Sequence, residues 1–278
     1  MNHQLKSSLL LLTTAFLCVF SSCQKDPAPA SPADEATVAK AKESLASQQL
    51  ILSSFHIAQR GAEDANGLAG DGGVEERTDT CGNVTVVPPD PFVFPKLVTV
   101  DFGSGCTDAD GKFKVGKVIM NVGAIWEPNA QISVAYDNYA EDGINVEGQF
   151  VFTNLSTATA AILSIDAQQI KLTDPNGYSF AFSGNQTYTQ TAGNPTWWDW
   201  HDDVYQVAGH INTVLSNGET VNWLIQSPLE KANICNYISK GTGVLDVNGL
   251  PVLVDYGNGT CDNQGTFTIN GQVYPFTM

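Results

Sequence analysis

Residues Ile144–Asn154 read INVEGQFVFTN, and their alternation decides the fold class. Ile144, Val146, Phe150 and Phe152 fall on one face, with Asn145, Glu147 and Gln149 on the other. Successive side chains of a strand point to opposite faces, so this is the pattern of a β-strand with one face buried. Tyr178–Gln190 (YSFAFSGNQTYTQ) and Val204–Leu215 (VYQVAGHINTVL) alternate in the same way. Between such stretches lie Glu141–Gly143 (EDG), Asp174–Gly177 (DPNG), Ser216–Gly218 (SNG), Val247–Gly249 (VNG) and Ile269–Gly271 (ING). Asn-Gly and Asp-Gly tolerate the positive φ of short hairpin turns, so neighbouring strands are expected to pair antiparallel. Gly116, Gly148, Gly184 and Gly209 fall mid-strand, where glycine marks bends or bulges of a strongly curved sheet. Residues 81–278 are therefore expected to form one antiparallel β domain, a curved β-sandwich or a partly closed barrel.

That region repeats itself. Leu97–Cys106 (LVTVDFGSGC) is echoed by Pro251–Cys261 (PVLVDYGNGTC). Aligning Asp101 with Asp255 also aligns Cys81 with Cys235, Phe113 with Phe267 and Val115 with Ile269, all at an offset of 154. Only Cys261 falls one residue late relative to Cys106. The repeat reads as duplicated structure: β-branched and aromatic residues for the sheet, then glycines for a tight turn. Four cysteines permit three pairings. The duplication favours Cys81 with Cys106 and Cys235 with Cys261, one clasp in each copy. Neither CxxC nor a Cys/His cluster at zinc-ligand spacing occurs, and no metal or cofactor is expected.

The N-terminal residues speak of location. Lys6 precedes an apolar run from Leu9 to Phe20, then Ser21, Ser22 and Cys23. That order is a secretory signal, and the run is too short to span a bilayer. A cysteine at this place predicts cleavage before Cys23 and its acylation, making residues 1–22 a lipoprotein signal peptide. Residues 23–34, rich in Pro and Ala, follow as a tether. An amphipathic helix is expected over 35–60, led by Ser31 as cap and Pro32 at the first helical position, with Asp34 as the acid of a capping box. Val38, Ala41, Leu45, Leu52 and Phe55 form its apolar stripe. Residues 61–80, Gly-rich and acidic, read as a flexible loop. The formal net charge of −16 becomes about −17 without the leader, which excludes nucleic acid as a partner, since that binding rests on cations neutralising phosphates.

Two near-motifs lead nowhere. Gly111–Val118 (GKFKVGKV) places Val118 where a phosphate-binding loop needs Ser or Thr. Asp108 and Asp110 beside Gly111 resemble a fragment of a calcium loop without its closing glutamate, and read as an Asx-rich turn. Residues 195–205 (PTWWDWHDDVY) are the densest in chemical groups. Trp197, Trp198 and Trp200 are the expected ligand-binding platform, with Asp202 and Asp203 as hydrogen-bonding groups. His201 has no nucleophile motif with it, so no catalytic residues are nominated.

Cys23-Gln24-Lys25-Asp26 resembles the short acidic tags that follow the lipid cysteine in surface lipoproteins of the Bacteroidota. The paired D(F/Y)GxG(T)C turns, GKV at Gly116–Val118, VEG at Val146–Gly148 and the closing CDN at Cys261–Asn263 resemble a family of uncharacterised Bacteroidota lipoproteins of the outer membrane and cell surface. The resemblance implies a lipid-anchored, surface-exposed β protein and carries over no catalytic residue. The expected role is a non-catalytic surface lipoprotein with a glycan or protein ligand; the alternative is a tethered extracytoplasmic degradative enzyme.

Overall fold

The computed structural model describes residues 31–66, 81–90, 92–108, 111–193 and 200–278. The signal peptide, Cys23, residues 67–80, Asp110, Trp197 and Trp198 lie outside the described residues. Helix α1 (Pro32–Asn66) precedes thirteen strands: β1 (Asn83–Val87), β2 (Lys96–Thr107), β3 (Phe113–Val122), β4 (Gln131–Glu141), β5 (Ile144–Asn154), β6 (Ile162–Thr173), β7 (Ser179–Ala192), β8 (Val204–Val214), β9 (Thr220–Ala232), β10 (Lys240–Val247), β11 (Leu250–Asn258), β12 (Gln264–Ile269) and β13 (Gln272–Thr277). Every strand pairs antiparallel with its chain neighbour, giving one curved, unclosed sheet in the order β1 to β13.

The curvature has a local cause. Register shifts fall beside Gly116, Gly148 and Gly209. At Gly209 (φ +134°) a Cβ would stand 2.2 Å from the Asn185 carbonyl oxygen, and at Gly184 one would stand 2.3 Å from that of His210. Only glycine lets the adjacent backbones of β7 and β8 approach this closely while the strands bend. The two edges of the sheet are short strands marked by proline: β1 has five residues and runs into Pro88, and β13 carries Pro275. Proline and short length are devices that keep an open edge from pairing with another chain.

The helix lies in the concave face. Ser31 Oγ accepts the Asp34 amide at 3.1 Å, as expected of a cap. The Asp34 carboxylate, however, accepts from Tyr274 Oη (3.2 Å) and Asn270 Nδ2 (3.4 Å), tying the first turn to β13 and its preceding turn. The helix outruns its expected bounds of 35–60: residues 32–34 of the tether and 61–66 of the acidic loop are helical, held by the cap and the Asp34 hydrogen bonds at one end and by burial against the sheet at the other. Ala62 and Ala65 are buried, and Gly61 stands so close to Met120 that a Cβ there would meet its side chain at 2.2 Å. The stripe of Ala41, Leu45, Leu52 and Phe55 is buried, and so are Ser44, Ser47, Gln48, Leu50, Ile51, Ser54, Ile57 and Ala58. On the less buried stripe Lys42 is exposed, and Glu43, Ala46, Gln49, Ser53, His56 and Gln59 are partly buried. A helix packed on a flat sheet hides one face. Here the sheet bends around it, so polar positions are enclosed as well.

The repeat is structural. Val98, Val100 and Phe102 of β2 correspond to Val252, Val254 and Tyr256 of β11, and all six are buried. Asp101 Oδ1 accepts the Gly103 amide at 2.9 Å, and Asp255 Oδ1 accepts the Gly257 amide at 2.8 Å. Cys81–Cys106 and Cys235–Cys261 are disulfide-bonded, with Cα–Cα separations of 5.8 and 5.7 Å. The copies differ in where they loop: residues 88–95 separate β1 from β2, whereas β10 and β11 meet at the two-residue turn Asn248–Gly249.

Candidate functional site

Next-neighbour pairing puts alternate connections at opposite ends of the sheet. At one end, the connections β2–β3, β4–β5, β6–β7, β8–β9, β10–β11 and β12–β13 are two to five residues long. At the other, β1–β2, β3–β4, β5–β6, β7–β8, β9–β10 and β11–β12 are five to eleven. The helix N-terminus belongs to the short-turn end: besides Asp34, Lys40 pairs with Glu219 at 2.7 Å and Tyr178 Oη donates to Glu43 at 2.7 Å. Its C-terminal half reaches the long-loop end, where Phe55 stacks on Tyr188 (4.9 Å) and meets Tyr205 edge-on (5.3 Å).

Of the expected tryptophan tract, Trp200 to Asp203 lie among the described residues, ahead of β8. Trp200 begins a short 3-10 turn, Trp200–Asp202, and His201 and Asp202 are exposed. Asp203, expected as a hydrogen-bonding group beside the tryptophans, has internal partners. It is buried; Oδ1 accepts from Gln190 Nε2 (2.6 Å) and Oδ2 from Tyr205 Oη (3.0 Å). It braces the loop, and through Tyr205 the brace touches Phe55 of the helix.

Buried lysines secure other connections. Lys96 Nζ donates to the carbonyls of Pro88 (3.2 Å) and Asp90, holding the β1–β2 loop. Lys231 Nζ donates to the carbonyls of Ala232 (2.6 Å) and Cys235, holding the β9–β10 loop, and burial pushes its pKa down to about 8. Lys114 pairs with Asp108 at 2.8 Å, so the acidic turn that resembled a calcium fragment is spent on an internal ion pair. Among the described residues no three His, Cys, Asp or Glu side chains gather to hold a metal ion.

Sequence reasoning missed two aromatic positions at the long-loop end. Phe92 is 89% exposed and Trp126 is 60% exposed, on the β1–β2 and β3–β4 loops. Phe94 meets Trp126 edge-on at 5.1 Å, and Lys96 Nζ lies 5.1 Å from the Phe94 ring centre. Their signal was aromatic residues among prolines, outside any alternation, in PPDPFVFPK (88–96) and IWEP (125–128). A further concavity of about 280 Å3 opens beside the less buried helix stripe. Leu45, Leu50, Val146, Leu172 and Phe276 line it with apolar surface, and Ile144, unlike Val146, Phe150 and Phe152 of its expected face, stands exposed at its mouth. Glu141 on its wall accepts from Ser53 Oγ (2.8 Å) and Tyr139 Oη (3.1 Å) and lies 3.5 Å from Lys112 Nζ. These contacts orient a carboxylate on the wall of the concavity.

No known protein family matches the chain, and neither does any curated protein or solved structure.

Proposed function

We propose that this chain is a non-catalytic lipoprotein, anchored through Cys23 in the outer membrane and exposed at the cell surface, which binds a glycan or protein ligand at its long-loop end. The supporting observation is the division of labour between the two ends of the sheet. The chain joins the domain at Ser31, beside the short turns that hold the first helical turn. The eight steps from Cys23 to Ser31 reach at most ~30 Å, so an acylated Cys23 would tether the domain close to the bilayer. Several acyl chains hold such an anchor stably. The long-loop end, away from the helix N-terminus, presents Phe92 and Trp126. Exposed aromatic side chains on a braced scaffold suit recognition of a sugar ring or an apolar protein surface.

Fractionation and binding test this reading together. Cys23→Ala is expected to release the protein from membranes or leave an unprocessed precursor; a cleaved, unacylated form that stays membrane-bound defeats the anchor. Single Trp197→Ala, Trp198→Ala and Trp200→Ala variants of the full-length protein in detergent are then assayed on a glycan array and against surface-protein extracts. Lost binding with unchanged melting supports the loop as a ligand face. Variants that all simply unfold defeat it.

A further inference from the structure

We propose that the corner formed by Val87, Phe92, Val93, Leu97 and Trp126 is a docking surface for a partner protein, with Phe92 and Trp126 as its anchoring side chains. This rests on the reading of the long-loop end as the ligand face and names the class of one of its ligands. Val87 and Leu97 are cross-strand partners in the β1–β2 ladder, 60% and 49% exposed, so they continue the apolar surface of the loop onto the outside of the sheet. Val93 adds to it beside Phe92.

The exposure is built in. Phe92 and Val93 donate their amides to Asp90, at 2.9 Å to Oδ1 and 3.3 Å to the carbonyl, while Lys96 ties the same loop from below. Across from it, the loop bearing Trp126 is closed by Glu127 N to the Ala124 carbonyl (2.8 Å) and Ala130 N to the Glu127 carbonyl (3.1 Å). Asn154 Nδ2 donates to the carbonyls of Ile125 (2.8 Å) and Glu127 (3.2 Å), on either side of the tryptophan. Aromatic side chains held out by ordered loops lose little entropy on binding, which is the property of an anchor residue.

Size and chemistry favour a protein over other occupants. The exposed fractions of these five side chains amount to on the order of 500 Å2 of apolar surface, as large as the largest patch of an ordinary monomer. That matches the non-polar share, a little over half, of the roughly 800 Å2 that each partner buries in a standard interface. A sugar stacks on aromatic faces and has no use for Val87, Val93 and Leu97, and Lys96 already lies over Phe94. A bilayer is disfavoured because the chain toward Cys23 departs from the opposite end of the sheet. Asp90 and Glu127 stand exposed at the rim. The fitting partner therefore offers an apolar recess flanked by Lys or Arg, since rim charges set specificity and encounter rate.

The test places a photo-crosslinking benzoylphenylalanine at position 92 of the full-length protein in its own cells, with position 176 on the short-turn end as control. Position 92 is expected to give one discrete adduct with a different protein, and position 176 none. Trp126→Ala and, separately, Glu127→Lys should each cut the adduct at least tenfold while melting stays within about 2 °C. The surface charge reversal keeps the test decisive should the tryptophan variant fold poorly. Adducts only with glycan, with lipid or with a second copy of this chain, the same adduct from position 176, or no adduct at all would overturn the proposal. Fractionation of Cys23→Ala and binding by the Trp197–Trp200 variants do not involve this corner, so their failure and its failure are separable.

Discussion

Gln48 of the helix and Gln186 of β7 exchange two hydrogen bonds inside the protein, Gln48 Nε2 to Gln186 Oε1 at 3.1 Å and Gln186 Nε2 to Gln48 Oε1 at 2.5 Å. Both side chains are buried. With Ser44 Oγ 3.2 Å from Thr213 Oγ1 and Ser54 Oγ 2.6 Å from Tyr136 Oη, they form a polar seam between helix and concave sheet. Apolar surface would bind the helix in several rotations; paired amides accept one, which is how buried polar groups select a register. Gln48→Leu alone strands the Gln186 amide and should cost ~1–3 kcal/mol. Adding Gln186→Leu should recover at least half of that loss. Urea unfolding of the four-member cycle measures it, and simple additivity of the two losses would show that the residues are uncoupled.

The bend between β7 and β8 depends on missing side chains. Gly209→Ala places a methyl 2.2 Å from a backbone oxygen at φ +134° and should cost about 3 kcal/mol or more. Gly218→Ala is the control: φ is +83° there too, but nothing lies within 4 Å of the added Cβ. It should cost only about 1 kcal/mol. Equal melting of the two variants would remove the close approach as the cause of the bend.

The two clasps stabilise their copies of the repeat. Each closes a loop of sequence separation 25 or 26, worth roughly 3.5 kcal/mol in the chain-entropy account. Non-reducing peptide mapping should return Cys81 with Cys106 and Cys235 with Cys261. A crossed peptide, or free thiols, would contradict this pairing. The double variant Cys235→Ser, Cys261→Ser should lose about the stated stability.

His56 makes the fold sensitive to mild acid. Its pKa is lowered from 6.5 to about 3, by burial first and then by the nearby charges of Lys231 and Lys114. Below pH 6.5 the unfolded chain takes up a proton that the folded one refuses, so stability falls as pH drops from about 6.5 toward 3, by up to ~1.4 kcal/mol per unit. The carboxylates of Asp101 and Glu219, both lowered by hydrogen bonds from lysines, lose their contribution only below the ordinary carboxylate range. Between pH 6.5 and 5 the slope therefore belongs to the histidine. Denaturation midpoints at the two pH values should differ in the parent protein and converge in His56→Gln. An unchanged slope in the variant would assign the effect elsewhere.

Much of this architecture was readable from the chain itself, because its signals are local. Alternation over 144–154, Asn-Gly and Asp-Gly at the turns, and the common offset of Cys81 and Cys235 act within one strand, one turn or one repeat. Period and backbone preference carry such information without any partner. The strand glycines announced curvature for the same reason. Other features depended on which distant segments meet. Ser44, Ser47 and Gln48 are polar and belong on a solvated face by composition, yet they are buried, since the bent sheet surrounds the helix on nearly every side. Asp203 reads as a surface carboxylate until Gln190 and Tyr205 are placed beside it. Phe92 and Trp126 are 34 residues apart in sequence. They share a corner only because β1–β2 and β3–β4 turn at the same end of an antiparallel meander and Asn154, at the end of β5, braces one of the loops. Exposure and company are properties of the assembled sheet, and no periodicity within a single segment encodes them.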